Sequence, residues 1–507
     1  MIVKKITDSL KIHRKDELAD LFAEIGAKSS ISCVGVTCLD LLNSSHLKNK
    51  YGITESRYLL IYIFHDLEKE QIRYIGCPLL FGQTMQSYSQ IWSSLFYQEK
   101  EVYKNFGITF YVDERIQHEI LEKDNSHFLE KDFVKGDVLR DSSIENDLYD
   151  YLNVNLHEYG VESSDVSFEF LTNGKNIQKM KVSQDSPFIG LEKRFEKINI
   201  SDYPKYISHF NIYTPFSYQL LWFEVQSYLK GTTYTQYLEA KKMLFLEISR
   251  LYEHIQSLKE SFLLIDEKSA NELCESIQND FYMLFCQIDS GRPYPIITND
   301  FESRLPEGWL RKCIELLQKY GPLLEKLKSS IVSLDRIVKK TMISNKTIHP
   351  LKAGLSGLGL RSFGVSYDIR KNQPFYLYDQ LELKVPLGIS GSSYDRLLIR
   401  LEEVLEVSSN IVRLVEGFPV FSADSAHFSV PHFEEEEILF ATTENAHGDI
   451  SFIMHSLPSQ HMMSRFHVIN PSLRFLYSFE NFYSHTNVDL IAMDWVTLGL
   501  NISEVVK

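Results

Sequence analysis

The stretch DLIAMDWVTLGLN, residues 489–501, sets an acid, Asp494, in an apolar run with Trp495 beside it. An ionised carboxylate is costly to bury unless it is paired or hydrogen-bonded, so a basic partner is expected for this acid. Arg361 and Arg400 are the expected partners. A second group stands in MLFLEISRLYEHIQSLKESF, where Glu247, Arg250 and His254 share one side of a helical repeat. They offer a carboxylate, a fixed cation and a titratable imidazole, although a lone helical histidine is more often a satisfied packing group than a ligand. Thiolate chemistry is thinly supplied. Cys33, Cys38, Cys77, Cys274, Cys286 and Cys313 include no CxxC pair, so they read as buried free thiols, and no iron–sulfur cluster of the chain's own is expected. FEEEEILF (433–440) reads as a solvated acidic turn rather than a cation site. GLSGLGLRSFG lacks both the Lys-Ser/Thr of a phosphate loop and the GxGxxG spacing. HEIL at His118 has no second histidine at zincin spacing, and no GxSxG is present.

The elements that must position these groups follow from length and patterning. With 507 residues, 44% of them apolar, the chain has material for two or three domains. A net charge of -15 argues against nucleic acid or an anionic lipid surface as the primary partner. YLLIYIF (58–64) is far short of the roughly 20 residues that span a bilayer. The charged opening MIVKKITDSLKIHRKDE has no signal-peptide core, so a cytosolic or membrane-peripheral protein is expected. Near the start, a helix at Asp16–Ile25 leads into a strand at SISCVGVTCLDLL; RYLLIYIF and QIRYIGCPLLF then form a hairpin across HDLEKE. A helix follows within SQIWSSLFYQEKEVYKNFGITF, and a charged linker after it. VSFEFLTNGKNIQKMKV predicts a second hairpin turning at Asn173-Gly174. In the middle of the chain, Leu244, Ile248, Leu251, Ile255, Leu258 and Phe262 trace one apolar helix face, opposite Glu247, Arg250 and His254. Further helices are expected at PEGWLRKCIELLQKYGPLLEKLKSSIVSL and at SSYDRLLIRLEEVLEVSSNIVRLVEG, with a glycine-rich segment of strand-like patches at 352–392.

Several of these blocks resemble subunits of respiratory complex I. IWSSLFYQEKEVYKNFGITF is similar to the signature of the 30 kDa-type subunit, matching at Glu99, Glu101, Tyr103, Phe106, Gly107 and Ile108, with Lys100 for an arginine. The rest resembles the 49 kDa-type subunit, a relative of the large subunit of nickel–iron hydrogenases. LEISRLYEHI places Glu247, Arg250 and His254 on positions of a family helix. GLSGLGLRSFGVSYDIRKNQPFYLYDQLELKVP matches family blocks at Ser356, Gly357, Arg361, Gly364, Tyr367, Asp368, Arg370, Lys371, Pro374, Tyr378 and Asp379. YDRLLIRLEE matches at Tyr394, Asp395, Arg396, Arg400, Glu402 and Glu403, and GLEK (190–193) stands for the family's Arg-Gly-Ile-Glu-Lys. The resemblance implies an α+β chain. A 30 kDa-like α/β domain (1–120) and a charged linker (121–155) would precede a mainly helical, hydrogenase large-subunit-like domain with a small β-hairpin region (156–507).

Where hydrogenases hold nickel and iron with two CxxC pairs, this sequence has Asn211 and Thr214, then Val496 and Gly499. Soft thiolates suit such a centre and these side chains do not, so no metal and no hydrogenase activity are expected. Asp494 then reads as the surviving acid of a metal-site tail. ENAHGDI (444–450) resembles the family's Glu-x-x-Arg-Gly-Glu, with His447 for arginine and Asp449 for glutamate. The implied function is that of a peripheral-arm subunit of a membrane-bound, NADH-quinone oxidoreductase-like or energy-converting hydrogenase-related complex. It would contribute to electron transfer to a quinone or other acceptor, coupled to ion translocation. The alternative is a non-catalytic scaffold linking soluble partners to antiporter-like membrane subunits. Tyr213, His254, Asp494 and Arg361 are the cavity candidates, with Tyr213, Thr214 and Val496 around a quinone, and His157 in NLHEYG a looser one. No cofactor is expected on the chain itself, and a [4Fe–4S] cluster belongs in a small iron–sulfur partner subunit. A ferredoxin-like subunit and a place on the cytoplasmic side of the inner membrane complete the expectation of a hetero-oligomer.

Overall fold

A computed structural model describes residues 1–111, 129–131, 152–155, 166–172, 177–184, 190–211, 213, 215–231, 234–288, 301, 303–333, 349–420, 435–458, 462–482 and 491–505. Helices and strands are mixed along the chain. Near the start, strands Ile31–Asp40, Tyr58–Asp66 and Gln71–Leu79 form an antiparallel meander, with Lys11–Ile12 added in parallel at its edge. Helices Leu18–Gly26 and Leu95–Phe106 stand beside it. Phe22 meets Tyr62, Phe64, Tyr88 and Trp92 edge-on or near it, the arrangement aromatic quadrupoles favour.

The hairpin expected near 165–200 is present as Val166–Thr172 and Ile177–Gln184, with Leu152–Asn155 added to it; its turn lies outside the described residues. So does the linker expected at 121–155, apart from 129–131 and 152–155. Lys131 ties that stretch to both halves of the chain: its N–H donates to Asp40 Oδ2 (2.8 Å) and its ammonium lies 3.0 Å from Glu196 Oε2. The first unit is not closed on itself. Strand Ile2–Lys5 pairs antiparallel with Glu437–Glu444, which continues through Asp449–Ser456 to Met463–Ile469. One apolar core also runs from Phe22, Tyr62 and Trp92 to Leu355, Trp495 and Val496.

The second half is built around helix Gln236–Leu264, opened by Thr235, whose side chain accepts from Leu238 N–H. It packs against helices Phe216–Lys230, Lys268–Phe285, Ser393–Glu416 and Ile491–Leu498. Surrounded in this way, it buries Glu247, Arg250 and His254 as completely as Leu244, Leu251 and Leu258. The polar side of this helix thus faces a charged interior rather than solvent. Helix Ser393–Glu416 starts on a reciprocal cap between Ser392 and Asp395. Helix Trp309–Ser333 continues through Pro322.

Two further expectations change. The 352–392 segment carries no strand; it folds as short helices at Gly357–Arg361 and Ile369–Asn372 and a 3-10 turn at Tyr378–Gln380. Close backbone approach causes this. Gly357 has φ +51°, and a Cβ there would come 2.5 Å from Gly448 Cα, so glycine lets two loops touch. Nor is FEEEEILF simply a solvated turn. Glu436 is buried, accepting from Leu47 N–H (3.1 Å) beside His455 Nε2 at 2.8 Å, and Glu437 begins a strand.

Candidate functional site

Three stretches supply the charged interior. The central helix Gln236–Leu264 gives Glu247, Arg250, Glu253 and His254. Helix Ser393–Glu416 gives Arg396, Arg400 and Glu403, spaced by four and three residues and so sharing one face. The glycine-bearing segment gives Arg361, Asp368, Arg370 and Tyr378.

Arg361 is enclosed by acids. Its Nη2 lies 2.7 Å from Glu403 Oε1, its Nη1 2.7 Å from Glu444 Oε1, and Asp368 Oδ2 is 3.7 Å away. Arg370 makes a two-pronged pair with Asp368 (2.7 and 3.1 Å) and reaches Glu247 Oε1 at 3.0 Å. Tyr378 donates to the same Glu247 oxygen at 2.7 Å. Arg250 donates to the Glu444 carbonyl at 2.9 Å. Burial opposes every one of these charges. Arg361, His254 and Arg250 nevertheless hold Glu403 well below the ordinary carboxylate range, while burial leaves Glu444 at about 7.

Beside this lies a linear array. Arg400 Nη1 donates to His254 Nδ1 (3.1 Å) and Nη2 to His447 Nδ1 (3.2 Å). A guanidinium only donates, so both histidines accept at Nδ1 and carry their proton on Nε2. His254 Nε2 then points at Glu403 Oε2 (2.7 Å), and His447 Nε2 lies 3.8 Å from Glu253 Oε2. Burial pushes His254 down to about 4, with Glu403 pulling the other way, and drives His447 well below its usual range. Glu253 is raised to about 8 by burial, despite the Ala446 N–H it accepts.

Helix Ile491–Leu498 seats on this array. Arg400 donates to the Thr497 carbonyl from Nε (3.0 Å) and Nη2 (2.8 Å). Asp494 is fully buried and pairs with Arg396, which also donates to Thr497 Oγ1 (3.0 Å) and to the Gly391 carbonyl (2.6 Å). The expected partners Arg361 and Arg400 are thus corrected to Arg396: Arg361 is engaged by Glu403 and Glu444, and Arg400 by His254, His447 and the Thr497 carbonyl. Gly499 has φ +76°, and a Cβ on it would come 1.9 Å from His447 Nδ1.

Of the sites read from sequence, Asn211 does meet the C-terminal tail, though not at Val496 or Gly499. Its Nδ2 donates to Glu504 Oε1 (3.1 Å), which Tyr218 (2.7 Å) also reaches, while Ser472 holds Oε2 (2.5 Å). Tyr213 is half-buried, its N–H donating to Asn211 Oδ1 (3.0 Å); Thr214 and His157 lie outside the described residues. Val496 packs in the apolar core with Trp495. Arg396 as the partner of Asp494, Glu253, Glu444 as an ion-pair partner and Glu504 were missed. Glu504 stands among Asn501, Ile502, Ser503 and Val505, a mixed stretch that gave no such signal as the apolar run around Asp494. Elsewhere, Glu101, Glu192 and His467 converge in the manner of metal ligands, but Arg465 Nη1 already lies 2.7 Å from Glu192 Oε2.

The fold is shared with a chain of a solved membrane complex. The structure of the membrane-bound sulfane sulfur reductase, an archaeal respiratory membrane complex, contains a chain that aligns with a TM-score of 0.61 at 19% identity, covering 72% of this chain and 100% of that one. More particularly, residues 297–436 match the family model of the respiratory-chain NADH dehydrogenase 49 Kd subunit. An NADH-quinone oxidoreductase subunit of Opitutus terrae is 26% identical over 236 residues, 45% of this chain and 55% of that protein. The like-named protein of Wolinella succinogenes is 36% identical over 123 residues (24% and 30%), and an NADH-quinone oxidoreductase subunit of Bdellovibrio bacteriovorus 25% over 189 (36% and 33%). The chain spans about half or less of the length of these curated relatives. Among the described residues, no helix is long and apolar enough to cross a membrane.

Proposed function

We propose that the chain is a peripheral subunit of a membrane-associated, complex-I-like respiratory assembly, and that it serves there as a coupling scaffold without a nickel–iron centre. The observation that carries this reading is the seating of Ile491–Leu498 on Arg396 and Arg400. Nickel and iron would need thiolates at Asn211, Thr214, Val496 and Gly499, which offer an amide, a hydroxyl, an isopropyl group and no side chain. The donor set does not fit, and a longer side chain at Gly499 would collide with His447. Asp494 is taken up by Arg396, so it is not free to orient a quinone. What remains is a rigid block of buried ion pairs, suited to transmitting displacement between neighbours.

In this reading a small iron–sulfur subunit holding a [4Fe–4S] cluster and a ferredoxin-like subunit lie on one side. Antiporter-like membrane subunits lie on the other, at the cytoplasmic face of the inner membrane. One observation favours the redox alternative, an acceptor pocket for a quinone: Tyr213 is half-buried at the edge of the tail site, its hydroxyl type suited to a quinone oxygen. Purification of the native complex through a tag on this chain, followed by subunit, metal and quinone analysis, decides between them. The scaffold reading expects co-purifying membrane subunits, no stoichiometric nickel and no quinone dependent on Tyr213. Bound quinone lost in Tyr213→Phe would transfer the role to the redox reading, and a chain that purifies alone from membranes would overturn both.

A further inference from the structure

Every carboxyl in the charged interior but two touches a guanidinium. Glu247 and Asp368 meet Arg370, Glu403 and Glu444 meet Arg361, and Asp494 meets Arg396. Among the described residues, no arginine or lysine ion pair reaches Glu253 or Glu504, although both are buried. Glu504 is held by neutral donors from Asn211, Tyr218 and Ser472. At Glu253, Oε2 accepts the Ala446 N–H (3.0 Å), while Oε1 is buried with no hydrogen-bond partner.

The surroundings of Glu253 are mixed. Arg250 on its own helix and Arg400 on the neighbouring one favour the anion, and Glu504 from the C-terminal tail opposes it. Tyr218 faces it from helix Phe216–Lys230. His447 is pinned by Arg400 as the neutral, Nε2-protonated tautomer, so it cannot become the compensating cation without breaking that contact. A second acid facing an already buried, unpaired one raises the proton affinity of the pair.

We infer that Glu253 is a proton-binding site, kept loaded at neutral pH by the seated segment 491–505, whose Glu504 is the second acid facing it. The proton resides on Oε1, the oxygen left without a partner. Lifting the segment withdraws Glu504 and admits water; Glu253 then releases one proton to solvent and becomes an ordinary carboxylate, with no electron moved. The inference deepens the coupling reading by naming a proton as the species carried. Because it is read on the purified full chain, its failure is distinguishable from failure of the assembly reading.

Infrared difference spectroscopy of the full-length protein tests it through the carbonyl stretch of a protonated carboxyl group. The wild type should show a component at pH 7 that is lost on alkalinisation with a midpoint of about 8, which sets it apart from any contribution of Glu444 titrating at about 7. Labelling glutamate with 13C should shift that component, which identifies it without any substitution. Glu253→Gln, isosteric with the protonated acid, should abolish it, whereas Glu247→Gln should leave it in place. Glu504→Gln should move the midpoint downward. A wild type without the component at pH 7, a component insensitive to 13C-glutamate, or one that survives Glu253→Gln overturns the site. An unchanged midpoint in Glu504→Gln overturns the role of the tail.

Discussion

Glu403→Gln is the sharpest probe of the charged interior. The substitution keeps shape and removes one negative charge facing Arg361 Nη2 at 2.7 Å, His254 Nε2 at 2.7 Å and Arg250 Nη1 at 3.8 Å. Arg361 and Arg250 are then left to share Glu444, at 2.7 and 3.7 Å, where they had Glu403 between them as well, in an interior that solvent does not reach. Breaking a buried pair by deleting one partner costs about 3–5 kcal/mol, far more than the pair contributes net. The pH dependence has a definite sign. Glu403 is held well below its unfolded value, so its stabilisation is present above the unfolded carboxylate pKa and is lost as pH falls through the folded one. Denaturant midpoints of variant and wild type should therefore differ by the equivalent of about 3–5 kcal/mol at pH 7 and converge in acid. Glu315→Gln, at the exposed pair with Arg311, is the reference and should cost less than about 1 kcal/mol. A Glu403→Gln protein within about 1 kcal/mol of wild type at pH 7, or with a gap that does not narrow in acid, would refute the reasoning.

The tail offers a parallel test: Asp494→Asn leaves Arg396 without its carboxylate and should cost on the order of 3–5 kcal/mol, so the yield of assembled complex should fall before proton transport per complex does. Gly499→Ala should lower stability by about 2 kcal/mol or more, since the methyl group meets His447 at a positive φ; thermal unfolding of the two proteins side by side measures it. Glu253→Gln should flatten the pH profile of stability. With the folded pKa raised to about 8, the folded state binds more protons than the unfolded one above the unfolded carboxylate value, so wild-type stability declines with rising pH up to about 8, by at most about 1.4 kcal/mol per pH unit. Metal analysis of the native complex should find no nickel in stoichiometric amount with this chain.

Much of the architecture was readable from pattern alone. The strand-like runs at 58–64 and 71–81 and the three-four spacing from Leu244 to Phe262 are local patterns that neighbouring elements only reinforce. The 352–392 segment misled because its apolar residues suggest strands, whereas its course is set by glycines that let it pass against the 445–448 loop. Asp494 announced that it needed a cation but not which one. Arg396, Arg400 and Arg361 are equivalent in type, and the choice rests on the axial offset of two helices that meet only in the folded chain. Glu253 was overlooked beside His254 because a helix with one buried face would turn it outward. Only encirclement of that helix by four others buries both.

The pairing of Ile2–Lys5 with Glu437–Glu444 has a consequence for the order of events during synthesis. Ile2 has Thr442 as its partner, so the edge of that sheet cannot close until residue 442 has been made. At about 5–20 residues per second, the first strand waits roughly 20–90 s for its mate. During that time its backbone donors and acceptors are an open strand edge, in a chain whose early meander is already able to form. The contact spans so much sequence that closing it is entropically among the latest steps available. Completion of this sheet thus serves as a checkpoint: a truncated or stalled chain can build the first meander but cannot bury its own first residues.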